Sequence, residues 1–310
     1  MDLSIIIVNY NMKQLVLECL ASLERIRSEL AFEVILVDNT SSDGSVAAFR
    51  QTHPWVTIVE NKDNAGFAKA CNQGVALSTG DLILFLNPDT EMPPGTLKAM
   101  AEFFRANPKA AIIGCRTVNS DGSEEPCIYR FPTLPRTLID TLYLGKWFGG
   151  YEVKPGEITK DTEVEVICGA CFMIRRETVD EVGSFDEEFW MYGEDVELCW
   201  RARRAGWRIH YLHSVSVIHK RGQRHLDSDT HHDMARISYN HYKWIFHFYK
   251  KHYPAMHRAA LRAIMAAQIY PKLWSRRRKF ARGDKSKNNV ERLEGLSRVY
   301  DEFIREKSRS

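Results

Sequence analysis

Three polar clusters, each placed directly after an apolar run, hold most of the chemistry available to this chain. Asn87-Pro88-Asp89 follows Asp81-Leu82-Ile83-Leu84-Phe85-Leu86. Pro88 stiffens the turn, so Asp89 can present hard carboxylate oxygens of the kind that bind Mg²⁺ or Mn²⁺. The plain alternative is that Asp89 caps the helix following Pro93. His219 ends the run Val215-Ser216-Val217-Ile218 and precedes Lys220-Arg221. An imidazole there suits a borderline divalent ion, and the two cations suit phosphate oxygens. The chain carries 11 histidines, so position alone does not make His219 a ligand.

The third cluster, Phe185 to Asp195, mixes bulky aromatics with carboxylates. Apolar walls beside hydrogen-bond acceptors suggest a pocket the size of one sugar ring. A carboxylate within about 3 Å of a hydroxyl can take its proton during attack. Asp195 is the candidate base, and Glu194 would bind hydroxyls or orient it. Trp190 reads equally as a ring platform or as core. Asp195 could also simply cap the helix that follows.

A fourth group fits a nucleotide. Asp38, after the run Glu33 to Val37, could accept the imide N–H of uracil or thymine, and Asn9 could take the same base or its ribose. Asn61 to Phe67, with Asn64 and Gly66, would form the next wall. Lys69 or Arg221 would meet a diphosphate. Taken singly, Asp38, Asn39, Asp43 and Gly44 are ordinary turn residues. The Gly-x-Gly-x-x-Gly fingerprint, a Walker A loop and a Gly-x-Ser-x-Gly elbow are absent, which disfavours nicotinamide chemistry, P-loop hydrolysis and serine hydrolysis.

These clusters need a scaffold that brings distant residues together. Short apolar strands at 3–8, 33–37, 56–59, 81–86 and 110–114 alternate with helix-compatible stretches, which predicts βαβ units and a mostly parallel sheet. Ligands bind such sheets at the carboxyl edge, where Asn9, Asp38, Asn64 and Asp89 would meet. Residues 131–163 show no clear period and read as a mobile acceptor-side segment. Val164 to Ile174 returns to strand character, 195–205 reads as a helix, and the chain beyond Asp229 is mostly helical, punctuated by Pro254 and Pro271. The expected division is a catalytic domain over 1–228 and a helical, basic region over 229–310.

Composition agrees with a globular chain: 310 residues, 44% hydrophobic and 27% charged. Seven scattered cysteines, most in apolar stretches, predict buried thiols rather than a disulfide framework. Cys168 and Cys171 have zinc-like spacing without a second pair, so packing is the expectation there. The net charge of +3 conceals a basic tail, since residues 251–310 hold 16 Lys or Arg against 6 Asp or Glu. That tail points to an anionic surface such as lipid headgroups and not to nucleic acid. A plainly solvated helical surface accounts for it almost as well. The start lacks a secretory pattern, and no apolar run approaches the roughly 20 residues of a bilayer span. The expectation is a cytoplasmic protein, with peripheral membrane contact and self-association left open.

The ordered set of motifs resembles glycosyltransferase family 2, in its rhamnosyltransferase-like branch. The matching residues are Val8-Asn9-Tyr10-Asn11, Val37-Asp38-Asn39, Asn64-Ala65-Gly66-Phe67 and Leu86-Asn87-Pro88-Asp89, then Gly169-Ala170-Cys171, Gly183-Ser184-Phe185-Asp186-Glu187, Tyr192-Gly193-Glu194-Asp195 and His219. They span residues 3 to 222. The resemblance implies a GT-A fold and inverting transfer from a nucleotide-diphosphate sugar, with Mg²⁺ or Mn²⁺ as cofactor. It implies Asp38 at the base, Asp89 and His219 on the metal and Asp195 as general base. In this branch Asn commonly replaces the first Asp of the acidic motif, as Asn87 does. The usual His-x-x-Gly-x-Ser stands here as His219-Lys220-Arg221-Gly222-Gln223-Arg224, a departure at the phosphate end. By resemblance the donor is dTDP-L-rhamnose and the acceptor a growing, lipid-linked glycan. Two rivals stay open: a sugar nucleotidyltransferase, whose Gly-rich N-terminal loop is missing, and a catalytically silent nucleotide-sugar binding protein.

Overall fold

The computed structural model describes residues 2–220 and 234–305. The first half alternates strand and helix: β1 (Leu3–Asn9), α1 (Lys13–Arg25), β2 (Phe32–Asp38), α2 (Ser45–Thr52), β3 (Thr57–Glu60), α3 (Phe67–Leu77), β4 (Leu82–Leu86), β5 (Thr90–Glu91) and α4 (Thr96–Ala106). Next come β6 (Ala110–Val118), β7 (Ile128–Tyr129), α5 (Leu134–Thr141), α6 (Gly145–Phe148), β8 (Thr162–Val164), β9 (Val166–Ile167) and β10 (Cys171–Arg175). The remainder is α7 (Arg176–Val182), α8 (Glu194–Arg204), β11 (Arg208–His219), α9 (Met234–His252), α10 (Ala255–Ala281) and α11 (Lys287–Val299), ending in a π-helical turn, Tyr300–Ile304.

The chain divides into two compact units. The first comprises residues 1–131, 152–190 and 194–229, and the second residues 132–151, 191–193 and 230–310. The segment 131–163 holds more regular structure than its sequence period suggests, since α5, α6 and the start of β8 fall within it.

The first unit is built on a nine-stranded mixed sheet in the order β3-β2-β1-β4-β10-β6-β11-β5, with β8 beside β11. β1 to β4 run parallel, and β6 pairs parallel with β11, while β10, β5 and β8 run antiparallel to their neighbours. β4 is buried at every position, as expected for Leu-Ile-Leu-Phe-Leu covered on both faces. α4 buries Leu97, Met100, Ala101 and Phe104, the i, i+3, i+4, i+7 stripe of a helix docked on a sheet. Each such Leu, Met or Phe contributes about 1.5–3 kcal/mol of apolar burial. Register aligns Asn9 with Asp38 and Ile7 with Leu86, so the carboxyl ends of β1, β2 and β4 share one edge. β10 starts opposite Leu86, which brings Gly169 and Ala170 to that edge as well.

The second unit is helical. Pro254 separates α9 from α10, but Pro271 lies inside α10 without ending it. A proline costs an interior helix one backbone hydrogen bond, and the stripe Leu261, Met265, Ile269 and Leu273 stays buried across it. Among the described residues no helix is long and apolar enough to cross a membrane.

Candidate active site

His219 and Asp89 meet because β11 outruns its neighbours. Its last residue pairs with Thr90 of β5, placing His219 Nε2 3.2 Å from Asp89 Oδ1. Both side chains are almost fully enclosed. On the other side of the ring, His219 Nδ1 stands 2.8 Å from Glu125 Oε2. Burial by itself pushes the imidazole down, but the Asp89 and Glu125 carboxylates outweigh it and hold the ring above its ordinary value. With Nδ1–H donated to Glu125, the Nε2 lone pair faces a carboxylate oxygen. Two electron-rich atoms at that distance require a positive centre between them, either a proton or a metal ion.

The donor set therefore fits a divalent cation: one carboxylate, one imidazole and a carboxylate fixing the ring from behind. Among the described residues no group of three or more His, Cys, Asp or Glu forms a closed metal cage. An open pair matches Mg²⁺ or Mn²⁺, which keep positions for phosphate oxygens and water, better than it matches structural zinc.

Asp195 lies at the N-terminus of α8. Its Oδ2 accepts from Gly169 N at 3.1 Å and its Oδ1 from its neighbour Val196 N at 2.8 Å. Asn87 N donates to Ala170 O at 2.9 Å, so the acidic turn and the Asp195 carboxylate grip adjacent residues of one segment. Burial raises the proton affinity of Asp195, and the two amide donors oppose it. Glu194 is raised further by burial and by the Asp195 charge, and its Oε2 is enclosed with no hydrogen-bond partner among the described residues. Two adjacent buried carboxylates cannot both ionise cheaply.

The residues expected at the nucleotide are tightly tied to one another. Asn9 Nδ2 donates to Asp38 Oδ1 at 2.7 Å and to Ser41 Oγ at 3.0 Å, and Asp38 Oδ2 accepts from Ser41 N at 2.8 Å. Asn9 thus holds the Asp38 carboxylate in place. Asn64 Oδ1 accepts from Gly66 N at 3.1 Å, and Trp190 O accepts from Phe67 N at 2.9 Å, which joins the Asn64 turn to Trp190. Lys69 is exposed on α3. Arg221 lies outside the described residues.

Several sequence expectations change. Phe185 and Phe189 are core, not pocket wall: both are 3% exposed, and the Phe185 ring packs 4.5 Å from that of Phe85. Lys220 is held by Glu18 at 2.5 Å and by Glu91, so two carboxylates take the charge expected to meet phosphate. The cysteine expectation, by contrast, holds: all seven are free thiols. Cys171 Sγ lies 3.7 Å from Cys115 Sγ, in keeping with a packing role. Glu125 was not evident in the sequence, because it sits in the aperiodic stretch Ser123-Glu124-Glu125-Pro126 and only the folded position of His219 singles it out.

Residues 4–183 match glycosyl transferase family 2. The N-acetylglucosaminyl-diphospho-decaprenol L-rhamnosyltransferase of Mycobacterium tuberculosis is 30% identical over 260 residues, covering 78% of this chain and 82% of that one. The low-salt glycan biosynthesis hexosyltransferase Agl10 of Haloferax volcanii is 28% identical, covering 70% and 67%. Among solved structures, the mannosyltransferase PcManGT of Pyrobaculum calidifontis, in complex with GDP-Man and Mn²⁺, aligns with a TM-score of 0.57 at 17% identity, covering 98% and 88%. GalNAc-T7 with UDP, GalNAc and Mn²⁺ aligns at 0.54 and 16%, covering 71% and 44%. The sheet order and these likenesses are those of the GT-A fold, and with more than half its length matched the chain belongs to glycosyl transferase family 2 as a glycosyltransferase.

Proposed function

We propose that this enzyme transfers L-rhamnose from dTDP-L-rhamnose, with inversion and with a divalent metal, onto a hydroxyl of a growing, lipid-linked cell-surface glycan. The observation that carries the catalytic part is the enclosed Asp89–His219 pair, backed by Glu125, at the edge where Asp195 is also held. The Mn²⁺ bound to PcManGT and to GalNAc-T7 supports the metal. The M. tuberculosis relative, named for rhamnosyl transfer to a diphospho-decaprenol-linked acceptor, supports the donor sugar and the acceptor class.

In this reading Asp89 and His219 hold Mg²⁺ or Mn²⁺, which when bound offers Lewis-acid stabilisation to the departing diphosphate. Asp195 receives the proton of the attacking hydroxyl, and burial makes it a stronger base than an ordinary aspartate. Glu194 and Trp190 form the acceptor side. Asp38, fixed by Asn9, accepts from the base, while Asn64 and Lys69 flank the nucleotide and Arg221 contacts phosphate.

Membrane contact through the second unit has its own support. That unit carries ten of the twelve exposed large hydrophobic side chains among the described residues, including Tyr143, Trp147, Phe148 and Trp274. Exposed aromatics beside cations suit the interface of an anionic leaflet.

Thermal-shift screening of nucleotide sugars with and without Mn²⁺ tests the reading. The expected result is that dTDP-L-rhamnose raises Tm most and that chelation removes the effect. A larger shift with a UDP- or GDP-sugar replaces the donor, and no shift with any nucleotide sugar sinks the transferase assignment for these residues.

A further inference from the structure

The C-terminal helices border an open cavity of about 710 Å³ lined by cationic side chains. Lys272, Arg276 and Lys279 of α10 and Arg292 of α11 line it, and no carboxylate does. Positions 272, 276 and 279 fall at i, i+4 and i+7, so one face of α10 carries all three. None of the four cations forms an ion pair with a described carboxylate. Lys272 Nζ donates to Tyr242 OH at 3.0 Å and Arg276 Nη1 to Asn289 Oδ1 at 3.1 Å, both neutral acceptors. Arg292 Nε is shut away from solvent with no acceptor among the described residues. Asp284, close enough to feel Lys279 and Arg276, turns its Oδ1 to Ser286 Oγ at 2.7 Å.

Four like charges around one cavity repel each other, and an enclosed guanidinium donor without an acceptor is destabilising. A multiply charged oxyanion relieves the repulsion, and guanidinium forks match phosphate oxygens in particular. The volume exceeds what one phosphate needs, and Pro271 and Leu296 add apolar wall beside the charges. We propose that this cavity binds a diphosphate group carrying a carbon substituent. The site shares no residue with the transfer machinery and does not rest on the rhamnosyl reading.

Isothermal titration of the full chain with inorganic pyrophosphate, without divalent metal, tests it. Native protein is expected to bind at one site, and Lys279→Gln/Arg292→Gln to bind about tenfold more weakly or worse. The charge-keeping pair Lys279→Arg/Arg292→Lys should lose less affinity than the Gln pair. Lys279→Gln alone, at an exposed position, should weaken binding several-fold even if the double variant folds poorly. Flotation with neutral phosphatidylcholine vesicles, with and without a polyprenyl diphosphate, then separates the sources. Capture that needs the diphosphate lipid and is lost in the Gln variants assigns a lipid head, whereas pyrophosphate binding with no such capture assigns a soluble diphosphate. Undetectable pyrophosphate binding by native protein, or equal affinity in native and Gln variants, overturns the site.

Discussion

Glu125 Oε2 lies 2.8 Å from His219 Nδ1, while Asp89 Oδ1 takes the opposite nitrogen of the same ring at 3.2 Å. The acid behind the ring fixes its tautomer and raises its basicity, as outer carboxylates do at metal-ligating histidines. Glu125→Gln keeps the shape but removes that charge. Mn²⁺ affinity, measured by calorimetry on the full chain, should fall about 10- to 100-fold. An unchanged affinity would mean that Glu125 only packs against the ring.

Asp195 supplies the second prediction. Replacement by Asn preserves its size and leaves an oxygen to accept from Gly169 N or Val196 N, but removes the proposed base. Turnover should drop by about 10²- to 10⁴-fold while nucleotide affinity stays near native. Burial raises the acid's pKa above its usual 3.8, so native turnover should decline on acidification at a pH above that value. Near-normal turnover in Asp195→Asn would reassign the base.

Glu194 makes stability depend on pH. Its folded-state pKa is raised well above 4.5 by burial and by Asp195, so the folded chain holds that proton more tightly than the unfolded chain. The associated stability is fully present below about pH 4.5 and is lost as pH rises through the folded value. Glu194→Gln should therefore melt higher than native protein at pH 7.5, with the gap closing on acidification toward pH 4.5. A gap that stayed constant across that range would rule out titration of this side chain as its source.

Gly66 is the fourth test. It adopts φ 88°, and a β-carbon there would lie 2.4 Å from Trp190 Cδ1 and 2.8 Å from Trp190 O. Gly66→Ala should cost about 2–4 kcal/mol in denaturant unfolding, from strain and overpacking together. Adding Trp190→Ala should recover little of it, because the positive φ and the backbone oxygen remain. A neutral Gly66→Ala would show that the Asn64–Phe67 turn is free to move away from Trp190.

Local sequence carries the alternating strands and helices and the buried runs such as Leu82–Leu86, while the ordered family motifs, not spacing alone, single out Asp38, Asp89, Asp195 and His219. Apolar periodicity and turn chemistry are local, so those features are written into neighbouring residues. The pairing of β11 with β5, which seats His219 on Asp89, joins residues far apart along the chain and is a product of sheet register. Tertiary packing also decided that Glu125 backs the imidazole, that Glu18 and Glu91 take Lys220, and that Phe185 and Phe189 turn into the core. A side chain's partners depend on which distant surfaces are buried together. Spacing in the sequence does not carry that information, because the free energy that selects the pairing belongs to the packed whole.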